Sequence, residues 1–281
     1  MFALTLASGL YSQNYPKVPA EYPEYKYGME LLVNSGITLQ TEWNYVIYNG
    51  NVTAQKFRDK VTKFDGTGKI MEIEHVDALG RNTSIEVLKY DAKSLPVLQT
   101  EFMPTGELIG KTTYKYNSQG FLQEITWYNG NEYIISKTEF ETDSSMNSVT
   151  ESNFFAPDSV KEKTVYFYSD LKKGRVEKEQ HYLGKKQLDK TIVYHYLDDG
   201  RLEKEETAGP DGKTTSYLEY RYNAKGMLQE KVRIYNTGEK IKEADYSFND
   251  QGLPAGLLEY NQKGGMVKYV KYTYNDLHSG Y

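Results

Sequence analysis

Apolar and polar residues alternate with period two in short runs of about eight, and each run ends at a polar turn. Leu228-Gln229-Glu230-Lys231-Val232-Arg233-Ile234 predicts a strand with Leu228, Val232 and Ile234 on one face and charge on the other. Tyr194-His195-Tyr196 and Tyr220-Arg221-Tyr222 alternate in the same way. The three- and four-residue apolar spacing of an amphipathic helix is absent. At about 3.3 Å per residue, the strands would be roughly 26 Å long.

The runs recur with a fixed period. An aromatic anchor precedes a short polar turn at Phe64, Tyr90, Tyr116, Phe140, Tyr168, Tyr196, Tyr222, Phe248 and Tyr274, at spacings of 24 to 28 residues and most often 26. A second tyrosine stands two positions earlier at Tyr114, Tyr166, Tyr194, Tyr220, Tyr246 and Tyr272, on the same strand face. Gly68, Gly120, Gly200, Gly226 and Gly252 fall four residues after an anchor, and Gly80, Gly106, Gly184, Gly212, Gly238 and Gly264 fall sixteen after it. Two turns per period make each unit a β-hairpin, with glycine supplying the positive φ that closes it.

The expected fold class is therefore all-β: a tandem array of about 26-residue antiparallel hairpin repeats forming one long, curled and twisted sheet. Residues 38–281 would make up the repeat domain. Its first repeat is degenerate, with Tyr48-Asn49-Gly50 as a divergent hairpin turn. The stretch 141–160 is irregular, and Tyr272-Thr273-Tyr274-Asn275-Asp276 opens a repeat that is not completed. Such an unfinished array would leave an open edge for more chain or a partner. Ahead of it, residues 1–13 read as a truncated signal-peptide remnant, because Phe2 to Leu10 is apolar with small residues at its end. Residues 14–37 read as a linker punctuated by Pro16, Pro19 and Pro23.

Composition changes this picture in three ways. There are 27 tyrosines against 10 phenylalanines and 2 tryptophans, which suits thin layers that bury a ring and leave its hydroxyl wet. The 34 basic and 39 acidic residues are intermingled, for a net charge of −5, so no basic stripe offers itself to nucleic acid. With a mean hydropathy of −0.70 no spanning helix is expected, and lysines and glutamates on the strand faces would be costly against lipid in a membrane barrel. The absence of cysteine removes disulfides and thiolate-held metals.

The phrase Tyr194-His195-Tyr196-Leu197-Asp198-Asp199-Gly200-Arg201-Leu202, then Gly209-Pro210-Asp211-Gly212, then Tyr220-Arg221-Tyr222-Asn223-Ala224-Lys225-Gly226, resembles Rhs/YD repeats. The resemblance covers about residues 60 to 276 and is poor around Ser144. Asn117, Asn223, Asn249 and Asn275 replace the motif aspartate, and only Arg201 fills its arginine at the regular spacing. It implies a secreted or surface-exposed protein whose repeats curl into β-sheet shells. Tyr128-Asn129-Gly130-Asn131-Glu132-Tyr133 alone is similar to a MORN-type repeat, found in interaction proteins and some bacterial antitoxins.

No catalytic, cofactor or metal constellation emerges, and none is assigned. His75, His181, His195 and His278 lack ligand spacing, and His195 is expected to point away from its flanking tyrosines. Asp198-Asp199-Gly200 occupies a hairpin-turn slot. Glu177-Lys178-Glu179 and Glu203-Lys204-Glu205-Glu206 read as the wet face of equivalent strands rather than a catalytic pair. The tyrosine stripe, with Trp43 and Trp127, could bind a sugar or a partner strand. The plainer reading is cross-strand packing from repeat to repeat. The expected function is a non-catalytic, secreted or cell-envelope bacterial repeat protein that binds a protein or a carbohydrate through its sheet. The alternative is a cytoplasmic antitoxin or immunity protein that binds a toxin.

Overall fold

The computed structural model describes residues 30–155, 159–170, 175–184 and 186–276. The expected signal remnant and the first part of the linker lie outside these residues. Of the remaining linker, residues 30–34 form a helical turn rather than an extended run.

Eighteen strands follow. The first six are β1 (Leu39–Tyr48), β2 (Asn51–Phe64), β3 (Ile70–Val76), β4 (Asn82–Tyr90), β5 (Pro96–Phe102) and β6 (Leu108–Tyr116). The next six are β7 (Leu122–Asn129), β8 (Ile134–Asp143), β9 (Ser148–Phe155), β10 (Ser159–Asp170), β11 (Arg175–Leu183) and β12 (Gln187–Tyr196). The last six are β13 (Leu202–Ala208), β14 (Thr214–Tyr222), β15 (Leu228–Tyr235), β16 (Lys240–Phe248), β17 (Pro254–Tyr260) and β18 (Met266–Tyr274).

Each strand pairs antiparallel with the next, and β18 pairs with β1, so the sheet closes into an 18-stranded up-and-down barrel. The open, curled sheet expected from the repeats is therefore wrong, although its all-β hairpins are right. The expected free edge does not exist. β1 docks on β18 with Gln40 opposite Tyr274 and Asn44 opposite Val270, and so completes the repeat that Tyr272-Thr273-Tyr274 begins. Asn275 seals this seam as other Asn and Asp residues seal hairpins. Its Oδ1 accepts from Thr38 N at 2.9 Å and Leu39 N at 3.3 Å, and its Nδ2 donates to the Gly36 carbonyl at 2.9 Å. In a regular turn the same atom accepts from the second and fourth residues onward, as Asn223 does from Lys225 N (2.9 Å) and Met227 N (3.1 Å).

The turns need a left-handed residue, and Gly226 supplies one at φ 78°. Where the glycine is lost, Ser94, Glu132 and Asn147 take positive φ instead, so the irregular stretch still forms the β8–β9 hairpin. A β-bulge accompanies nearly every hairpin and resets the alternation of faces. In β15 the bulge at Gln229 leaves Leu228 opposite Tyr222, while Lys231 faces Tyr220 and Val232 faces Glu219. Leu228 and Val232 thus lie on opposite faces, and Lys231 shares the tyrosine face. The uniform apolar face read along 228–234 is incorrect for this reason.

Residues paired across antiparallel strands share a face. The face carrying Tyr166, Tyr194 and Tyr220 is the more buried, with these rings 6–8% exposed. Side chains converge on the concave side of a closed sheet, so this face lines the interior. Eighteen strands about 4.8 Å apart and tilted about 40° give a radius of about 18 Å if round, too wide for side chains to fill. The interior is paved instead. Its buried apolar clusters follow β9–β15, β6–β8 and β16–β18 around the wall, and among the described residues none joins strands across the barrel. The outer face is charged. Lys63 lies 2.6 Å from both Glu72 and Glu74, and Arg221 bridges Glu219 and Glu230 at 3.0 and 2.8 Å.

Candidate functional site

The tyrosine stripe is first of all a structural device. The anchors Tyr90, Tyr116, Tyr196, Tyr222 and Tyr274 each donate to the backbone carbonyl 20 residues earlier, at 2.5 to 2.9 Å. Each accepting residue (Ile70, Pro96, Val176, Leu202 and Pro254) immediately precedes a bulge. The extra residue frees a carbonyl from the ladder, and the next repeat's tyrosine satisfies it. Burial pushes up the phenols of Tyr90, Tyr116, Tyr196 and Tyr222, the last to about 12.

The first tyrosine of each pair addresses a side chain instead. Tyr114 donates to Gln99 at 2.9 Å, Tyr166 to Glu151 at 2.9 Å and Tyr220 to Glu205 at 2.5 Å, each 15 residues back. Tyr194 binds Glu179 in the same relation. The result is a belt of alternating carboxylates and phenols on the inner wall of β9–β14. Burial holds the Glu151 carboxyl above the usual glutamate range, against the opposing hydrogen bonds from Tyr166 and Asn153. A second polar chain crosses β3–β6. His75 Nε2 lies 2.8 Å from Glu86 Oε1, whose other oxygen accepts from Gln99, which in turn accepts from Tyr114.

The residues weighed in the sequence are mostly scattered. His75 and His181 face inward, each 2.8 Å from its own glutamate (Glu86 and Glu179), and are not brought together. His195 points outward as expected, 3.5 Å from Glu206. His278 lies outside the described residues. Asp199 closes its hairpin by accepting from Arg201 N at 3.1 Å and Arg201 Nε at 2.7 Å. No group of three or more His, Cys, Asp or Glu suited to a metal occurs among the described residues. Trp43 lies on the outer wall with Nε1 bonded to Thr273, whereas Trp127 packs on the inner cluster around Ile125.

One expectation is overturned. Glu179 and Glu205 are not on the wet face: Glu179 is 5% exposed, and both share the face of their tyrosine partners. The bulge at Glu177 puts Glu179 opposite Tyr166, and Glu205 lies opposite Leu218. Sequence reading missed Glu151, Glu86 and Lys231 as interior groups. A signal existed for two of them, since Glu151 and Lys231 stand 15 residues before Tyr166 and Tyr246.

The inner wall also carries a concavity of about 280 Å³ over Ala244, bordered by Lys231, Tyr235, Glu243, Tyr246 and Glu259. The lining combines aromatic rings with carboxylates, which can recognise hydroxyl-rich molecules by stacking and charge-assisted hydrogen bonds.

No family model and no curated protein matches this chain. Among solved structures it is similar to the TcdB2-TccC3 complex, at 12% identity and a TM-score of 0.37, over 80% of this chain and 15% of that one. The Photorhabdus luminescens Tc holotoxin pore gives 13% identity and a TM-score of 0.35, over 85% of this chain and 14% of that one. A porin-like protein from Bacteroides vulgatus gives 11% and 0.37, over 86% of this chain and 99% of that one. What is shared at these identities is β-rich architecture alone.

Proposed function

We propose that this chain is a non-catalytic binding barrel, secreted or held in a bacterial cell envelope, whose ligand is a glycan taken on the inner wall. The observation that carries the reading is the inner face itself, where tyrosines and carboxylates alternate around β9–β14. Closure of β1 on β18 removes the sheet edge that would let a partner chain add as a strand, and so disfavours that mode of protein capture. No helix among the described residues is long and apolar enough to cross a membrane. The ion-paired outer wall also disfavours lipid contact, at about 2–4 kcal/mol for each lysine or arginine near a bilayer midplane.

The Tyr-x-Tyr turns and the phrase Gly200-Arg201-Leu202 support kinship with Rhs/YD-type repeat proteins, and the apolar stretch Phe2 to Leu10 supports export. The test is a glycan array probed with the purified full chain, together with fractionation of expressing cells. Saturable binding to a glycan class, by protein found outside the cytoplasm, is the expected result. A cytoplasmic protein that binds no glycan and co-purifies with a toxin would replace this reading with the antitoxin one.

A further inference from the structure

The repeats allow each inner-wall position to be compared with its counterparts. Four residues before the anchor, Leu218 and Val270 close the wall at 5% and 2% exposure. Ala244 occupies the same slot between them. Ala244 is itself 4% exposed and packs with Leu257 and Val270, at the floor of a concavity of about 280 Å³ in the wall. In the ladder Ala244 pairs with Lys231 on one side and Glu259 on the other, so all three share the inner face. Tyr235 adds an aromatic ring where the neighbouring repeats have Gly209 and Asn261.

The charges of this concavity are distinguishable. Glu243 is ion-paired with Arg233. The Lys231 ammonium is held 5.1 Å over the Tyr220 ring, and Lys231 is 5% exposed, so little cationic charge is offered to a ligand. Glu259 has no hydrogen-bond or ion-pair partner among the described residues and is only half-buried. On its other side Glu259 lies opposite Lys268, exposed on the same face, so the surroundings present tyrosine rings, a carboxylate without a partner among the described residues and one lysine beside it. At about 280 Å³ the concavity falls just below the usual ligand-pocket range of about 300–1,000 Å³, so it has room for one small ring rather than an extended chain.

We propose that this concavity is a saccharide subsite for a single neutral pyranose, with the sugar's C–H face against the tyrosines and two of its hydroxyls donating to Glu259. The proposal rests on the glycan-binding reading above and deepens it to a position and a sugar class.

The test is saturation-transfer NMR on the full chain with a panel of methyl pyranosides, repeated on Ala244→Leu and Glu259→Gln. Leucine restores the residue that fills the slot one repeat earlier, and glutamine keeps the size of Glu259 while removing its charge. The expected result is transfer to a neutral pyranoside in the wild type and an affinity loss of about tenfold or more in each variant, with unchanged melting. Wild-type-like binding by Glu259→Gln would overturn the subsite even if Ala244→Leu fails to fold. If glycans bind the array while both variants keep full affinity, the subsite fails and the binding reading survives. If the wild type binds neither pyranosides nor any arrayed glycan, the underlying reading fails with it.

Discussion

Tyr168 and Tyr196 hold the same slot in adjacent repeats, yet removing their hydroxyls should have opposite effects. The Tyr196 hydroxyl donates to the Val176 carbonyl at 2.5 Å, and that carbonyl is free because a bulge follows Val176. Counting back from Tyr168 leads to Ser148, at the start of β9. The β8–β9 hairpin has no bulge, and its register runs unbroken from Ser136 opposite Phe155 to Asp143 opposite Ser148. On its other side Ser148 lies opposite Phe167. No carbonyl is freed there, and the Tyr168 hydroxyl is buried without a hydrogen-bond partner among the described residues, in a side chain that is 6% exposed. Tyr196→Phe should therefore cost about 1–2 kcal/mol, for one hydrogen bond and a stranded acceptor. Tyr168→Phe removes an unsatisfied buried hydroxyl and should be neutral or stabilising by about 1–2 kcal/mol.

At roughly 2–4 °C per kcal/mol for a chain near this size, the difference of about 1–4 kcal/mol should separate the thermal melts of the two variants by about 2–16 °C. Phe248→Tyr supplies the converse. Leu228 precedes the bulge at Gln229 and stands 20 residues before Phe248, so a hydroxyl added there should stabilise by about 1 kcal/mol. Equal destabilisation by Tyr168→Phe and Tyr196→Phe would refute the link between bulge and tyrosine.

Two further outcomes follow from the seam and from the interior polar chain. Asn275→Ala removes the side-chain bonds to Thr38, Leu39 and Gly36 and places alanine at φ 53°, at a cost of about 2–4 kcal/mol. Hydrogen exchange should quicken at residues 40–44 and 270–274 while 216–222 stay protected, and a uniform change would contradict a local seam. The hydrogen bond to Glu86 raises the His75 pKa above its ordinary 6.5, so the charged pair stabilises fully below that value and its contribution is lost as pH rises through the folded-state pKa. Urea melts of wild type and His75→Gln should show a wild-type advantage at mildly acidic pH that fades on the alkaline side. An advantage that grows with pH would reverse the assignment.

The hairpins were legible because their causes are local. Period-two alternation and a glycine every half-repeat need no tertiary information, and even the glycine-free turn at 143–147 kept its hairpin through Asn147. Closure was not legible. Whether 18 strands curl openly or meet depends on tilt and stagger, which no single repeat encodes, and Gln40 of β1 meets Tyr274 of β18 across 234 residues of chain. The faces were legible only between bulges. Each bulge shifts the alternation by one, so Lys231 and Glu179 moved to the tyrosine face although the sequence showed them in runs of alternating charge.

Asn275 does carry a trace of closure in hindsight. It stands where Asn223 and Asn249 cap their turns, but the strand it caps comes from the other end of the chain. Because β1 pairs with β2 on one side and with β18 on the other, the ring closes without leaving either strand unpaired. The bulge-to-tyrosine bond follows the same logic, because each repeat completes a polar group that the repeat before it left open. Tyr274 does this for Pro254 just before the seam, and Asn275 then takes up the backbone of residues 36–39 across it. With both edges consumed and the outer wall committed to ion pairs, the inner wall is where departures from the repeat can accumulate without breaking the ring. Ala244 and Tyr235 are two such departures, and they border the same concavity.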